Sequence, residues 1–130
     1  MQDSSPWAPL AVLVIDDQAA VREGLASLIG CAPVPLRSVR TVANGSDALH
    51  IADWLRPQIV VLDADLDGED GLALLPLLSP AKVLVLSCHG DAATRGRAMR
   101  LGASEFIEKH QPAADLLAAF MRLATPGSRG

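Results

Sequence analysis

Ala11-Val12-Leu13-Val14-Ile15-Asp16-Asp17 is a run of five apolar residues, three of them β-branched, that stops on two carboxylates. So short an apolar run without alternation reads as a strand covered on both faces, as in a parallel sheet. The same grammar recurs twice: Ile59-Val60-Val61-Leu62 runs into Asp63, and Val83-Leu84-Val85-Leu86 runs into Ser87. Val39-Arg40-Thr41-Val42 and Glu105-Phe106-Ile107-Glu108 mix polar with apolar residues and read as edge strands, the second followed by Lys109.

Helical stripes fill the intervals. Val21, Leu25, Leu28 and Ile29 repeat at i, i+4, i+7 and i+8. Ala48, Ile51, Ala52 and Leu55 form a second stripe behind the start signal Asn44-Gly45-Ser46, and Leu116, Phe120 and Leu123 form a last one. The stretch from Asp91 to Leu101 is helical but offers only Ala98, Met99 and Leu101 to a core, beside Arg95, Arg97 and Arg100. Pro76 predicts a short or kinked helix after Gly71, because it lacks a backbone donor. A β-α order repeated five times, with right-handed crossovers, predicts an α/β fold: an open five-stranded parallel sheet with helices on both faces.

With 130 residues the chain is one domain long. The reading places an N-terminal extension at 1–9, the domain at 10–124 and the start of a linker or C-terminal tail at 125–130, as if the piece were cut from something longer. No apolar run approaches the roughly 18 residues of a membrane span, and the opening residues lack the parts of a secretory signal, so a cytoplasmic protein without membrane contact is expected. A net charge of −4 and 3% aromatics speak against nucleic-acid binding by this domain itself. Asp16, Asp17, Asp63, Asp65, Asp67, Glu69 and Asp70 are seven of the fifteen acids; without them the balance would be +3, so a positive partner belongs near them.

Asp16, Asp17, Asp63, Ser87 and Lys109 all follow or close strands, and so reach one edge of the sheet, where open parallel sheets carry their ligand crevice. Two carboxylates about 4 Å apart repel by roughly 4 kcal/mol at an effective dielectric near 20, a cost that a divalent cation offsets. Hard oxygen ligands suit Mg2+ better than zinc. Taken singly, each acid reads as a solvated loop residue or helix cap, Ser87 as a strand-end hydroxyl and Lys109 as a surface charge; together they reverse that reading. Cys31 and Cys88 lie at opposite ends of the sheet and are expected unbridged.

With these residues in place, the chain resembles the receiver domain of two-component response regulators from about Leu10 to Leu123. The family's acidic pair matches Asp16 and Asp17, its phosphoacceptor Asp63, its Ser or Thr Ser87, its lysine Lys109 and its switch aromatic Phe106. Asp70-Gly71 sits where the family has an Asp-Gly pair, and Asp16 to Leu25 is similar to the branch with a LuxR/NarL-type helix-turn-helix output domain.

The resemblance implies a flavodoxin-like strand order 2-1-3-4-5 and a signalling switch rather than an enzyme. It implies phosphoryl transfer from a histidine kinase to Asp63. Mg2+ is then held by Asp17, Asp63 and the backbone carbonyl of Asp65, with Asp16 acting through a water. Lys109 contacts the phosphoryl group, Ser87 bonds it after a loop movement, and Phe106 then turns inward. It further implies a homodimer on phosphorylation and control of transcription through a DNA-binding domain outside this chain.

Three departures stand out: Leu66-Asp67 replaces a common Met-Pro pair, Cys88 replaces a small residue, and His110 follows the lysine in place of proline, leaving the isomer of that peptide open. They sustain one rival, a pseudo-receiver that docks partners without phosphorylation. Another rival is a calcium loop over 63–70, although Leu74 stands where such a loop needs Glu. A D-x-D phosphatase over Asp63 and Asp65 and a flavin-binding domain fit less well.

Overall fold

Alternate residues of the central strands feed two separate cores, one on each face of the sheet. The structure, a computed structural model, describes residues 8–125. The expected extension through Trp7 and the tail from Pro126 lie outside the described residues. The elements are β1 (Leu10–Ile15), α1 (Ala19–Gly30), β2 (Leu36–Val42), α2 (Gly45–Leu55), β3 (Ile59–Asp63), a 3-10 helix (Gly71–Leu77), β4 (Lys82–Ser87), α3 (Ala92–Arg100), β5 (Glu105–Glu108) and α4 (Ala113–Ala124). All pairings are parallel and the order is β2-β1-β3-β4-β5. The order reverses between β1 and β3, so the crevice opens beyond Ile15 and Asp63.

Leu13, Ile15, Val60, Leu62, Val83, Val85 and Phe106 face the core shared with α2, the 3-10 helix and α3. Val12, Val14, Ile59, Val61, Leu84, Leu86 and Ile107 face the core shared with α1 and α4. Period-two alternation thus survives in strands whose sequence shows none, because both faces are dry. β2 and β5 are the edges, as their mixed composition predicts. β2 starts at Leu36, three residues before the predicted run, because Leu36 and Ser38 pair with Leu10 and Ala11 around an irregularity in register.

Asn44 caps α2, its Oδ1 accepting from the Asp47 amide at 2.8 Å. Pro76 is accommodated by making the helix around it a short 3-10 turn. α3 buries only Ala98; Met99, expected to pack, is 47% exposed, since its position points away from the face that Ala98 presents to the sheet. Among the described residues no helix is long and apolar enough to cross a membrane.

Phe120 on α4 is fully buried. Phe120→Ala is expected to cost about 3 to 5 kcal/mol in denaturant unfolding, whereas Met99→Ala should stay within about 0.5 kcal/mol.

Candidate functional site

The end of β1 is held by its backbone. The Asp16 amide donates to the Val42 carbonyl at 3.1 Å, carrying the β1–β2 ladder one residue past the strand. Its Oδ1 accepts from the Gln18 amide at 2.9 Å and Arg22 Nη1 donates to its carbonyl at 2.9 Å, so the turn into α1 is tied at both its start and its first helical turn.

At the end of β3 the Ala64 amide donates to the Leu86 carbonyl at 2.8 Å, and Asp63 Oδ1 accepts from the Asp65 amide at 2.8 Å. Gly71 presses its backbone onto this segment, donating to the Ala64 carbonyl at 3.1 Å. A Cβ at Gly71 would overlap the carbonyl oxygen of Asp63, so only glycine lets the returning chain approach so closely.

One carboxylate oxygen from each of Asp16, Asp17 and Asp63 lies within 4.8 Å of the others. Asp16 and Asp63 are 0% and 1% exposed, and Asp17 is half-buried. Lys109 Nζ stands 3.0 Å from both Asp16 Oδ2 and Asp63 Oδ2. Beyond that ammonium neither oxygen has a hydrogen-bonding partner, although both are fully buried. Three acids facing one lysine leave a surplus of negative charge on hard oxygen donors, a set that fits a small divalent cation.

Burial is the largest influence on Asp63 and pushes its carboxyl above the ordinary value of 3.8, against the pull of the Asp65 amide and Lys109; the charge on Asp16 adds to the rise. Burial alone would lower Lys109, but its bonds to Asp16 and Asp63 outweigh it and keep the ammonium protonated.

Ser87 is buried at the end of β4, and the Lys109 amide donates to its carbonyl at 2.9 Å, which aligns β5 beside it. Asp65, implied as a metal residue through its carbonyl, sends its carboxylate away from the three-acid group. Its Oδ2 accepts from Ser87 Oγ at 3.3 Å and from the Cys88 amide at 3.1 Å.

Phe106, expected to turn inward only on activation, is already inside at 5% exposure. It shares a core with Ala98 and Ala103, with the Arg95 guanidinium 4.7 Å from its ring centroid. Small residues on and after α3 leave room for the ring here. The Lys109–His110 peptide is not cis; among the described residues only Ser79–Pro80 is. His89 and His110 are exposed beside Asp65 and Glu108, at 3.6 and 2.9 Å. Cys31 and Cys88 are free.

The acids of 63–70 do not converge as a calcium loop requires. Asp65 turns to Ser87, Glu69 Oε1 accepts from the Gly45 amide at 2.9 Å to cap α2, and Asp70 pairs with Arg97 through two bonds of 3.0 and 2.6 Å. The Asp70–Arg97 pair and the Glu69 cap have no sequence signal, since their partners lie 27 and 24 residues away. Arg97 holds the Asp70 carboxyl below its ordinary value.

The family model of the response regulator receiver domain matches residues 12–121, and the chain belongs to that family. Among curated relatives it is 36% identical over 111 residues to a protein-glutamate methylesterase/protein-glutamine glutaminase of Anaeromyxobacter dehalogenans, covering 83% of this chain and 32% of that protein. It is 34% identical over 122 residues to the transcriptional regulatory protein LnrK of Bacillus subtilis, covering 91% of this chain and 55% of that one. The chain thus spans between a third and about half of these relatives.

A LuxR-family two-component response regulator from Aurantimonas superposes with a TM-score of 0.82 at 26% identity, over 90% of this chain and 86% of that one. A Burkholderia pseudomallei response regulator, whose structure holds a phosphorylated aspartic acid, a calcium ion and citrate, superposes at 0.77 with 28% identity, over 88% and 68%.

The surplus charge has a measurable cost. With the pKa of Asp63 raised on folding, the folded state binds more protons between the ordinary and raised values, so stability falls as pH rises through that window. Asp63→Asn is therefore expected to raise the neutral-pH melting temperature, and to lose this advantage as pH falls through the raised value towards the ordinary one. Thermal melts across pH check both the sign and the window.

Proposed function

We propose that this domain takes a phosphoryl group from a histidine kinase onto Asp63 and passes the event to the surface formed by α3 and β5. The observation that carries the reading is Lys109 Nζ at 3.0 Å from both Asp16 and Asp63, beside Asp17. Asp63 then serves as acceptor with one cation beside it, and Asp16 and Asp17 complete the oxygen set for a metal.

An Asp63 oxygen attacks phosphorus as the donor's P–N bond breaks, and the bonding pair leaves with the imidazole nitrogen. Asp16, Asp17 and Asp63, with the Asp65 carbonyl that the resemblance adds, would hold Mg2+, which would supply neutralisation of an anionic donor's charge. Lys109, kept protonated by its partners, follows the transferred oxygens as a mobile point charge. Ser87 Oγ is a buried donor at the same edge, suited to a phosphoryl oxygen.

α3 is the element fit to respond, because it buries one residue and is held to the β3 side by the Asp70–Arg97 pair. A phosphorylated aspartate in the Burkholderia relative and the regulator names among the relatives support acceptance here and an output through a DNA-binding domain outside this chain; dimerisation on phosphorylation belongs to the same proposal. In this reading the chain is a phosphoacceptor and switch; its own chemistry is limited to phosphoryl transfer and loss.

Intact mass after incubation with a small phosphodonor tests it. The expected result is a Mg2+-dependent gain of one phosphoryl group, absent in Asp63→Asn. Lys109→Ala and Ser87→Ala should still accept but show weaker amide-shift changes in α3 and β5. Mg2+ alone should raise the melting temperature of the wild type and not of Asp17→Asn. A folded protein that neither gains mass nor binds Mg2+ would identify a docking domain instead.

A further inference from the structure

Asp65, Glu69 and Asp70 each send a side-chain bond to a different element, β4, α2 and α3, and the bond from Asp65 ends on the Ser87 hydroxyl. Asp65 spans the site with two separate groups. Its amide donates to Asp63 Oδ1 at 2.8 Å, while its Oδ2 accepts from Ser87 Oγ at 3.3 Å and from the Cys88 amide at 3.1 Å.

Ser87 is 0% exposed and its hydroxyl has one proton to give. His89 encloses the same oxygen, its amide donating to Oγ at 2.9 Å and its carbonyl standing 3.2 Å away. Of the two acceptors in reach, the carboxylate is the stronger. An anion already sits on the hydroxyl that a second anion, carried by Asp63, would use, and on the amide beside it.

We propose that the Asp65 carboxylate is a resident stand-in for the phosphoryl group, holding Ser87 and the Cys88 amide in the unphosphorylated protein until the phosphoryl group displaces it. The proposal rests on Asp63 being the acceptor. The hydroxyl has one proton and gives it at full strength to one acceptor at a time, so a phosphoryl oxygen gains the Ser87 bond only as the Asp65 carboxylate gives it up. It has somewhere to go, because that side chain is 40% exposed and its outer oxygen faces only the exposed His89 ring, 3.6 Å away. Asp65 is a positioning residue in this account: it acts through Ser87 and touches no donor.

Loss of a negative charge would by itself ease the approach of an anionic donor, so the test separates contact from charge. Acceptance from phosphoramidate with Mg2+, followed by intact mass, is compared in the wild type, Asp65→Ala, Asp65→Asn and Asp67→Ala, the last removing an exposed acid of the same loop. Asp65→Ala is also made in a Ser87→Ala background.

Asp65→Ala is expected to accept about tenfold faster than Asp67→Ala, the order of one bond to a charged acceptor, with Asp65→Asn between them. In the Ser87→Ala background that excess should vanish. The Cys88 amide, followed by NMR, should exchange faster with solvent in unphosphorylated Asp65→Ala. Equal rates for Asp65→Ala and Asp67→Ala, or an excess that persists without the Ser87 hydroxyl, would overturn the proposal. Acceptance by Asp65→Ala alone would support it, whereas a protein that takes no phosphoryl group in any form would remove the acceptor reading and this proposal with it.

Discussion

Lys109 Nζ reaches both Asp16 and Asp63 at 3.0 Å, and that bridge is what permits two adjacent parallel strands to end on buried carboxylates. Removing one ion from water costs several kcal/mol, and this site removes two acids while adding a third at its rim. The lysine returns part of that cost, and the remainder stays as a negative surplus. A fold optimised for stability alone would not place it there, which marks the cluster as a site for a positive ligand.

The arrangement depends on backbone geometry at the β1–β3 switch point. The Asp16 amide is spent on β2 and the Lys109 amide on β4, and the Ala64 amide, next to Asp63, is also spent on β4, so Asp16, Asp63 and Lys109 hang from backbone that is already anchored. Gly71 completes the frame by letting the loop return against the Asp63 carbonyl. Such anchoring holds the three charged groups in place without reorganisation.

Around this rigid centre the contacts are polar and reversible. Asp65 holds Ser87 and the Cys88 amide, Asp70 holds Arg97 on α3, and Arg95 on the same helix covers Phe106. α3 therefore reaches the loop after β3 through one ion pair and β5 through one cation–aromatic contact, with little apolar burial to fix it. An element held so lightly shifts for a small change in free energy, which suits a switch better than a scaffold. Phe106 already lies inside, so a response need not begin from an outward ring.

Local composition carried the strands, the α2 cap, the broken helix at Pro76 and the placement of five polar residues at one sheet edge, because each depends on periodicity, capping or strand ends within a few residues. Resemblance added the roles and the strand order, which no window of sequence contains. What only the tertiary structure decided are the pairings across distance: Lys109 with two acids, Asp65 with Ser87, Asp70 with Arg97, Glu69 with the start of α2, and the direction in which Met99 and Phe106 point. The physical reason is the same in each case. A charged or aromatic side chain carries no local record of its partner, and its direction is set by whichever element the packed sheet brings within 3 to 5 Å.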